Sequence, residues 1–217
     1  TNTEGEYNVA VGRNALNSNT VADNNTAVGN AALTANTTGT RNSAVGNVAL
    51  EDNTTGTDNT SLGYAALANS TTANHNTAVG SYAMDAAVTG DYNTSIGRDS
   101  LGALTGGSYN TGLGVYALWN NTTAAYNTAV GGNAMFDNTT GGNNTAVGLE
   151  ALADNTTASN NVAVGSQCMR LNTTGTSNVA VGYDALKSNT TADDNTAIGR
   201  EALEANTTGY SNVAVGK

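Results

Sequence analysis

The chain has 217 residues, with 26 glycines, no proline, 11% charged residues and a formal net charge of −10. Seven Lys and Arg residues are too few for a phosphate-binding stripe, which argues against nucleic acid or an anionic membrane surface as a partner. No apolar run approaches the roughly 20 residues that span a bilayer, so we expect no membrane insertion by this segment.

One glycine recurs at an unbroken interval of 17 residues, and we number each repeat so that this glycine is column 5. Column 1 is then always asparagine. We expect the glycine to adopt positive φ or to allow a close backbone approach. We expect each asparagine to bond the equivalent group one coil away or to cap its own turn. These structural-ladder residues are Asn8, Asn25, Asn42, Asn59, Asn76, Asn93, Asn110, Asn127, Asn144, Asn161, Asn178, Asn195 and Asn212, with Gly12, Gly29, Gly46, Gly63, Gly80, Gly97, Gly114, Gly131, Gly148, Gly165, Gly182, Gly199 and Gly216.

The remaining columns predict local structure in chain order. Columns 2 to 4 predict a short β-strand, because β-branched residues flank a small one. Columns 6 to 11 contain good helix formers, as in the segment 200–205, and predict a single helical or 3₁₀ turn or a bent second strand. Columns 12 to 14, usually Asn-Thr-Thr, with Gly or Ala at column 15, turn the chain back. Columns 3, 4, 8 and 9 are apolar or small and are expected to face inward, whereas charged and aromatic columns face solvent.

One copy is too small to bury its own apolar face, so stacked copies are needed to form a core. The sequence therefore predicts a mainly all-β solenoid or β-roll, a single continuous array over residues 1–217 with about 13 repeats of 17 residues. At roughly 4.8 Å per coil the array would span about 60 Å. Only columns 4 and 9 offer large apolar residues, and such a thin core favours several chains that wrap together and share it. Neither end carries a polar cap, so we expect a segment of a longer array or a filament subunit.

The block Asn25-Thr26-Ala27-Val28-Gly29 resembles the head repeats of YadA-like trimeric autotransporter adhesins, which carry a Ser-Val-Ala-Ile-Gly block and form trimeric left-handed β-rolls. The longer repeat, with Ala-Leu and Asn-Thr-Thr-Gly added, is similar to repeats of bacterial and phage tail-fibre-domain proteins. The resemblance covers the full length of the chain. It implies a homotrimer that forms an extracellular fibre with an attachment role, located outside the cell, at the cell surface or in a virion tail fibre.

Exposed aromatic residues are the main candidates for surface contact. Tyr92, Tyr109 and Tyr126 share column 17 in three successive copies and are expected to form a stripe, and Trp119 and Phe136 share column 10. Aromatic residues on a polar surface often contact sugars or proteins, so a cell-surface glycan or a protein receptor is a candidate partner. Surface variation without binding is the alternative.

The sequence offers little catalytic or metal-binding chemistry. His75 is the only histidine, and Cys168, the only cysteine, replaces Ala in column 8, where a thiol acts as a small hydrophobe. The pairs Asp193–Asp194 and Glu51–Asp52 are candidate calcium ligands, but the G-G-x-G-x-D repeat of calcium-binding β-rolls is absent, which favours a solvated acidic face. We therefore predict no catalytic residue, no metal site and no cofactor, and a protein that is not an enzyme.

The Asn-Thr-Thr segments match the N-glycosylation sequon, and repeated turn geometry is the alternative explanation. As a function, the pattern favours a structural component of an extracellular fibre that associates with itself. The alternative is an ice-binding solenoid, or one that binds another repetitive surface, through stacked Thr in columns 2, 13 and 14. A sugar lyase would need carboxylates, Lys or Arg clustered in adjacent coils, and no such spacing is present.

Overall fold

A computed structural model describes residues 2–217, and over that range it contains thirteen three-residue β-strands and no helix. Every strand occupies columns 2 to 4, where the β-branched pattern predicts it. The strands are β1 (Val9–Val11), β2 (Thr26–Val28), β3 (Ser43–Val45), β4 (Thr60–Leu62), β5 (Thr77–Val79), β6 (Thr94–Ile96), β7 (Thr111–Leu113), β8 (Thr128–Val130), β9 (Thr145–Val147), β10 (Val162–Val164), β11 (Val179–Val181), β12 (Thr196–Ile198) and β13 (Val213–Val215).

The chain forms two compact units, Thr1–Tyr109 and Asn110–Lys217. In the first unit, strands β1 to β6 pair in sequence order, and in the second, β7 to β13 do the same. Every pairing is parallel and offset by one 17-residue repeat, so that Val162 lies opposite Val179 and Ala163 opposite Ala180. The predicted β-solenoid with 17 residues per coil is confirmed.

Backbone hydrogen bonds join neighbouring coils around most of the repeat. Val162 N donates to Asn178 O of the following coil at 2.9 Å, and Gly165 N donates to Val147 O of the preceding coil at 2.8 Å. In the Asn-Thr-Thr turn, Thr139 N donates to Thr156 O at 2.9 Å. Because even the turns bond from coil to coil, main-chain polar groups are satisfied without long strands.

Both alternatives predicted for columns 6 to 11, a helical turn and a bent second strand, are wrong, because the segment forms turns without helix or strand. Column 7 and column 9 adopt left-handed backbone conformations, with φ of 54° at Glu150 and 53° at Leu152. Glu150 N donates back to Gly132 O at 3.0 Å, and Leu152 N donates forward to Cys168 O at 2.9 Å. A helix would direct these N–H groups within its own segment, so bonding between coils has overridden the local helix propensity.

The interior is narrower and more polar than the column pattern indicates. Column-3 Ala, column-8 Ala and column-9 Leu or Met are buried, together with the asparagines of columns 1 and 12. The expectation that column 4 faces inward is wrong, because the side chains of Val164 and Leu113 are 36% and 43% exposed. Successive residues of a strand point to opposite faces, so when the column-3 residue points inward, columns 2 and 4 must both point outward.

Candidate functional site

The column-5 glycines lie where no other residue fits. Their φ angles run from 123° to 143°, a region that L side chains rarely adopt. A Cβ built on Gly131 would lie 2.6 Å from the carbonyl carbon of Gly148 in the next coil and closer still to its oxygen. The glycine therefore supplies both the backbone conformation and the close approach of adjacent coils.

The column-1 asparagines form a ladder that also closes each coil. Asn161 Nδ2 donates to Gly175 O of its own coil at 2.9 Å, and Asn178 N donates to Asn161 Oδ1 at 2.9 Å. Both asparagine side chains are buried. Each amide thus joins the start of its coil to column 15 and also bonds the following coil.

A second ladder runs along column 12, which the sequence pattern indicates only as part of a turn. Asn155 Nδ2 donates to Asn138 Oδ1 at 2.7 Å and to Ala158 O at 3.1 Å. A glycan on such a nitrogen would have to displace these bonds, so the geometry favours the turn explanation of the sequons. The sequon asparagines with 0% exposure are Asn36, Asn53, Asn121, Asn138, Asn155, Asn172 and Asn189.

The column-17 stripe begins with a stacked aromatic run in the first unit. The rings of His75 and Tyr92 lie 4.7 Å apart with a 6° interplanar angle, and those of Tyr92 and Tyr109 lie 5.0 Å apart at 7°. Tyr92 and Tyr109 are about half exposed. Tyr126, in the second unit, is 59% exposed. In the first unit the Tyr92 ring therefore stacks between His75 and Tyr109, while about half of each tyrosine surface stays exposed.

The same column continues from His75 to an ion pair. Arg41 Nε lies 2.6 Å from Asp58 Oδ1, and His75 Nδ1 lies 3.9 Å from Asp58 Oδ2. The hydrogen bond from Arg41 lowers the pKa of Asp58 below its ordinary value. Arg41 is exposed and Asp58 is partly exposed, so water screens the pair and it contributes little to stability.

A groove of about 480 Å³ in the second unit collects the chain's other aromatic candidates. Tyr116 lies edge-to-face with Trp119, at a ring-centroid distance of 5.5 Å, and with Phe136, at 6.1 Å. Trp119 and Phe136 are the only tryptophan and the only phenylalanine in the sequence. The structure thus brings these two predicted residues together and adds Tyr116, which the sequence analysis did not select. Tyr116 precedes Trp119 by three residues in the same turn, and that spacing could have indicated the contact.

Polar side chains complete this groove. Glu150 Oε2 lies 3.3 Å from Arg170 Nε and accepts a hydrogen bond from Gln167 Nε2 at 3.2 Å. Asp154 also lines the groove, and partial burial raises the pKa of its carboxyl, an effect that Arg170 opposes. The groove thus combines aromatic faces with hydrogen-bond donors and acceptors, the usual composition of a small-molecule site.

The outward residues of columns 2 and 4 form an uncharged strand face in each unit. Column 2 carries Thr, Val or Ser and column 4 carries Val, Ile or Leu, so neither column contains a charged residue. Exposed fractions in column 4 include 47% at Leu62 in the first unit and 42% at Ile198 in the second. Parallel pairing in register aligns equivalent side chains along each sheet.

Cys168 is buried, and its Sγ lies 3.2 Å from Ala180 O. Burial raises the pKa of the thiol from 9.0 to about 12.

At pH 8 we expect native protein to react with 5,5′-dithiobis(2-nitrobenzoate) at least about 100-fold more slowly than urea-unfolded protein. Between pH 9.0 and about 12 the thiol loses its proton only in the unfolded state. The free energy of unfolding should therefore fall as pH rises through this range. Equal labelling rates for folded and unfolded protein would contradict this expectation.

No metal-binding group of three or more His, Cys, Asp or Glu side chains occurs among residues 2–217. The same range contains no helix of the length and hydropathy needed to cross a membrane. No protein-family model, curated protein or solved structure matches the chain. The resemblance to adhesin and tail-fibre repeats therefore stays a prediction, and the surfaces described above carry the functional proposals.

Proposed function

We propose that this chain is a structural segment of an extracellular fibre or filament, adhesin-like or tail-fibre-like, that provides reach and surface attachment. The uncharged strand face carries this proposal. Its column-4 row of exposed aliphatic side chains runs along each sheet, and exposed apolar groups arranged in this way often mark a contact with another molecule. Repetition of one coil geometry within each unit suits a component whose length is set by its number of repeats.

A further copy of this chain is the occupant that best fits the strand face. The chain carries a net charge of −10, so two copies repel one another over most of their surfaces. Columns 2 and 4 are free of charge and repeat once per coil, so equivalent faces can pack in register without burying an ion.

The size of the face explains why many repeats are useful. Six strands spaced about 4.8 Å apart, each three residues long at about 3.3 Å per residue, cover roughly 300 Å². A stable interface buries about 800 Å² per partner. The contact therefore gains area with every added coil, and neighbouring columns or further repeats are needed to reach the usual size.

In light scattering after size exclusion, we expect a molar mass that is a multiple of the 21.7 kDa chain mass. Lysine in place of three outward valines should place three cations on the strand face of consecutive coils. Because burying unpaired charge costs several kcal/mol, we expect the triple variant to dissociate to 21.7 kDa. The three substitutions are Val147→Lys, Val164→Lys and Val181→Lys.

A matched control places the same three charges elsewhere. Thr140, Thr157 and Thr174 are exposed column-14 residues of consecutive coils, and their replacement by lysine should leave the assembly intact. Far-UV circular dichroism would verify that both triple variants keep the fold. A native chain that stays at 21.7 kDa over the accessible concentration range would overturn the self-association proposal.

Ice binding is the second candidate, and the strand face also favours it. Rows of column-2 Thr and column-4 aliphatic residues lie on one regular parallel sheet. The column-13 threonines are less suited, because Thr156 Oγ1 donates to Thr173 O at 3.1 Å and column-13 hydroxyls bond the next coil in this way. Thermal hysteresis from a monomeric native chain, lost in the valine-to-lysine variant, would favour this alternative over the fibre.

A further inference from the structure

The groove in the second unit has a specific cause in the column pattern. Column 10 reads Trp119, Phe136, Ala153 and Arg170 in four successive coils. Ala153 has no side chain beyond Cβ, so a gap opens between Phe136 and Arg170, and Ala153 lies among the residues that line it. Two coil spacings, about 9.5 Å in total, separate the column-10 positions of Phe136 and Arg170. The groove between them has a volume of about 480 Å³, within the range of small-ligand sites.

Both hydrogen-bond donors and hydrogen-bond acceptors surround this gap. Glu150 and Asp154 lie in the same coil as Ala153 and present carboxylate oxygens, while Arg170 and Asn133 present N–H donors. Within residues 2–217, neither the Asp154 carboxylate nor the Asn133 amide has a side-chain hydrogen-bond partner. Hydroxyl groups can satisfy such a mixture, because each one both donates and accepts.

The aromatic walls supply the apolar part of recognition. An aromatic ring has a negative face and buries a large apolar area. The C–H groups of a pyranose ring form an apolar, slightly positive face that complements it. Tyr116 lies roughly perpendicular to both Trp119 and Phe136, at interplanar angles of 88° and 78°. The three rings therefore form a corner in which one ring face and one ring edge can contact the same ligand.

The charges of the lining select among ligand classes. A quaternary ammonium would be attracted by the aromatic rings and by the Glu150 and Asp154 carboxylates and repelled only by the Arg170 guanidinium, but its ammonium group forms no hydrogen bonds and would leave the polar groups of the groove unpaired. An anion such as phosphate would be repelled by Glu150 and Asp154. We propose that the groove of Tyr116, Trp119, Phe136, Ala153 and Arg170 binds a neutral saccharide, with its ring seated in the gap over Ala153.

This inference rests on the attachment role proposed above and names its ligand class, but it does not require the chain to form a filament. Trp119 is the only tryptophan, so its fluorescence reports on this groove alone. The probes are the methyl glycosides of glucose, galactose, mannose and N-acetylglucosamine. Choline chloride and sodium phosphate probe the cation and anion alternatives. We expect a saturable change in Trp119 emission with at least one glycoside and none with choline or phosphate.

Filling the gap should abolish binding. Ala153→Phe places a large side chain where the sugar ring would sit, and column 10 already accommodates Phe136 and Trp119 in the same backbone setting. We expect at least about a tenfold loss of glycoside affinity in this variant. Ala68→Phe makes the same substitution in column 10 of the first unit, away from the groove, and should leave the affinity within about twofold. Phe136→Ala, which removes one wall, should also weaken binding.

Three results would overturn the saccharide assignment. The first is an emission change with choline or phosphate but with no glycoside. The second is no response to any glycoside up to about 50 mM, beyond the millimolar affinities of weak single sites. The third is a glycoside response that Ala153→Phe leaves unchanged, because binding would then lie elsewhere. Light scattering on the same samples separates the two proposals: a 21.7 kDa monomer that binds glycoside retains this inference and contradicts the fibre.

Discussion

Replacing Gly131 with alanine should lower the free energy of unfolding by about 3–5 kcal/mol. Gly131 has φ of 133°, and an added Cβ would lie 2.6 Å from the Gly148 carbonyl carbon. Two costs therefore add, since the backbone conformation is unfavourable for alanine and the adjacent coil must also move away. Urea unfolding followed by far-UV circular dichroism measures the loss.

The next residue provides the control. A Cβ on Gly132 would meet only the Leu149 Cδ1 atom, at the ordinary contact distance of 3.4 Å. Gly132→Ala should therefore change the free energy of unfolding by less than about 1 kcal/mol. The physical account of column 5 would be wrong if the two alanine variants unfolded at the same urea concentration.

Replacing Asn161 with alanine should be the second most damaging change, at about 3 kcal/mol. The substitution removes three buried hydrogen bonds, one from Asn161 Nδ2 to Gly175 O and two from Asn178 N and Nδ2 to Asn161 Oδ1. It leaves the Asn178 N–H and side-chain amide without this acceptor, whereas Gly175 O keeps the bond from Asn172 Nδ2 at 2.9 Å. Unpaired buried polar groups cost more than the hydrogen bonds themselves contribute, because they have lost water as well. Hydrogen exchange at Asn178 N–H should accelerate, since that amide bonds the deleted side chain directly.

Asn120→Ala is the matched control for an asparagine in a tolerant column. Asn120 Nδ2 donates to Asp137 Oδ1 at 2.9 Å, but column 11 is alanine in several other coils, including Ala103 and Ala205. We expect a loss below about 1 kcal/mol. If both asparagine variants proved equally stable, the column-1 ladder would not be a principal source of stability.

Local sequence preference failed where bonding between coils took precedence. The segment that contains Glu201 and Leu203 has good helix formers, yet both residues have positive φ, 59° and 50°. The Glu201 N–H bonds Tyr183 O of the preceding coil at 2.8 Å. A short isolated helical turn is marginal in water, so bonding along the stack outweighs it.

The candidate site was predictable only in part for a related reason. The rarity of Trp119 and Phe136 and their shared column indicate a special surface. The groove itself depends on Ala153 and Arg170 in the following coils and on Tyr116 at the other end of the same turn. These side chains lie close together because of the way each coil bends, and the positions of residues in the repeat do not reveal that bend.

The sequence by itself determined the 17-residue coil, the place of each strand and the two columns that cannot vary, because an unbroken period leaves only one way to stack equivalent residues. Columns 3, 8 and 9 face inward as the pattern predicts, but the tertiary structure alone decided that column 4 faces outward and that two asparagine columns are interior. Closing the coil turns the column-3 alanine to the interior, so the column-4 aliphatic residues point outward and the asparagines of columns 1 and 12 fill the space inside. That choice reflects the alternation of side chains in a strand together with the need to satisfy buried backbone groups.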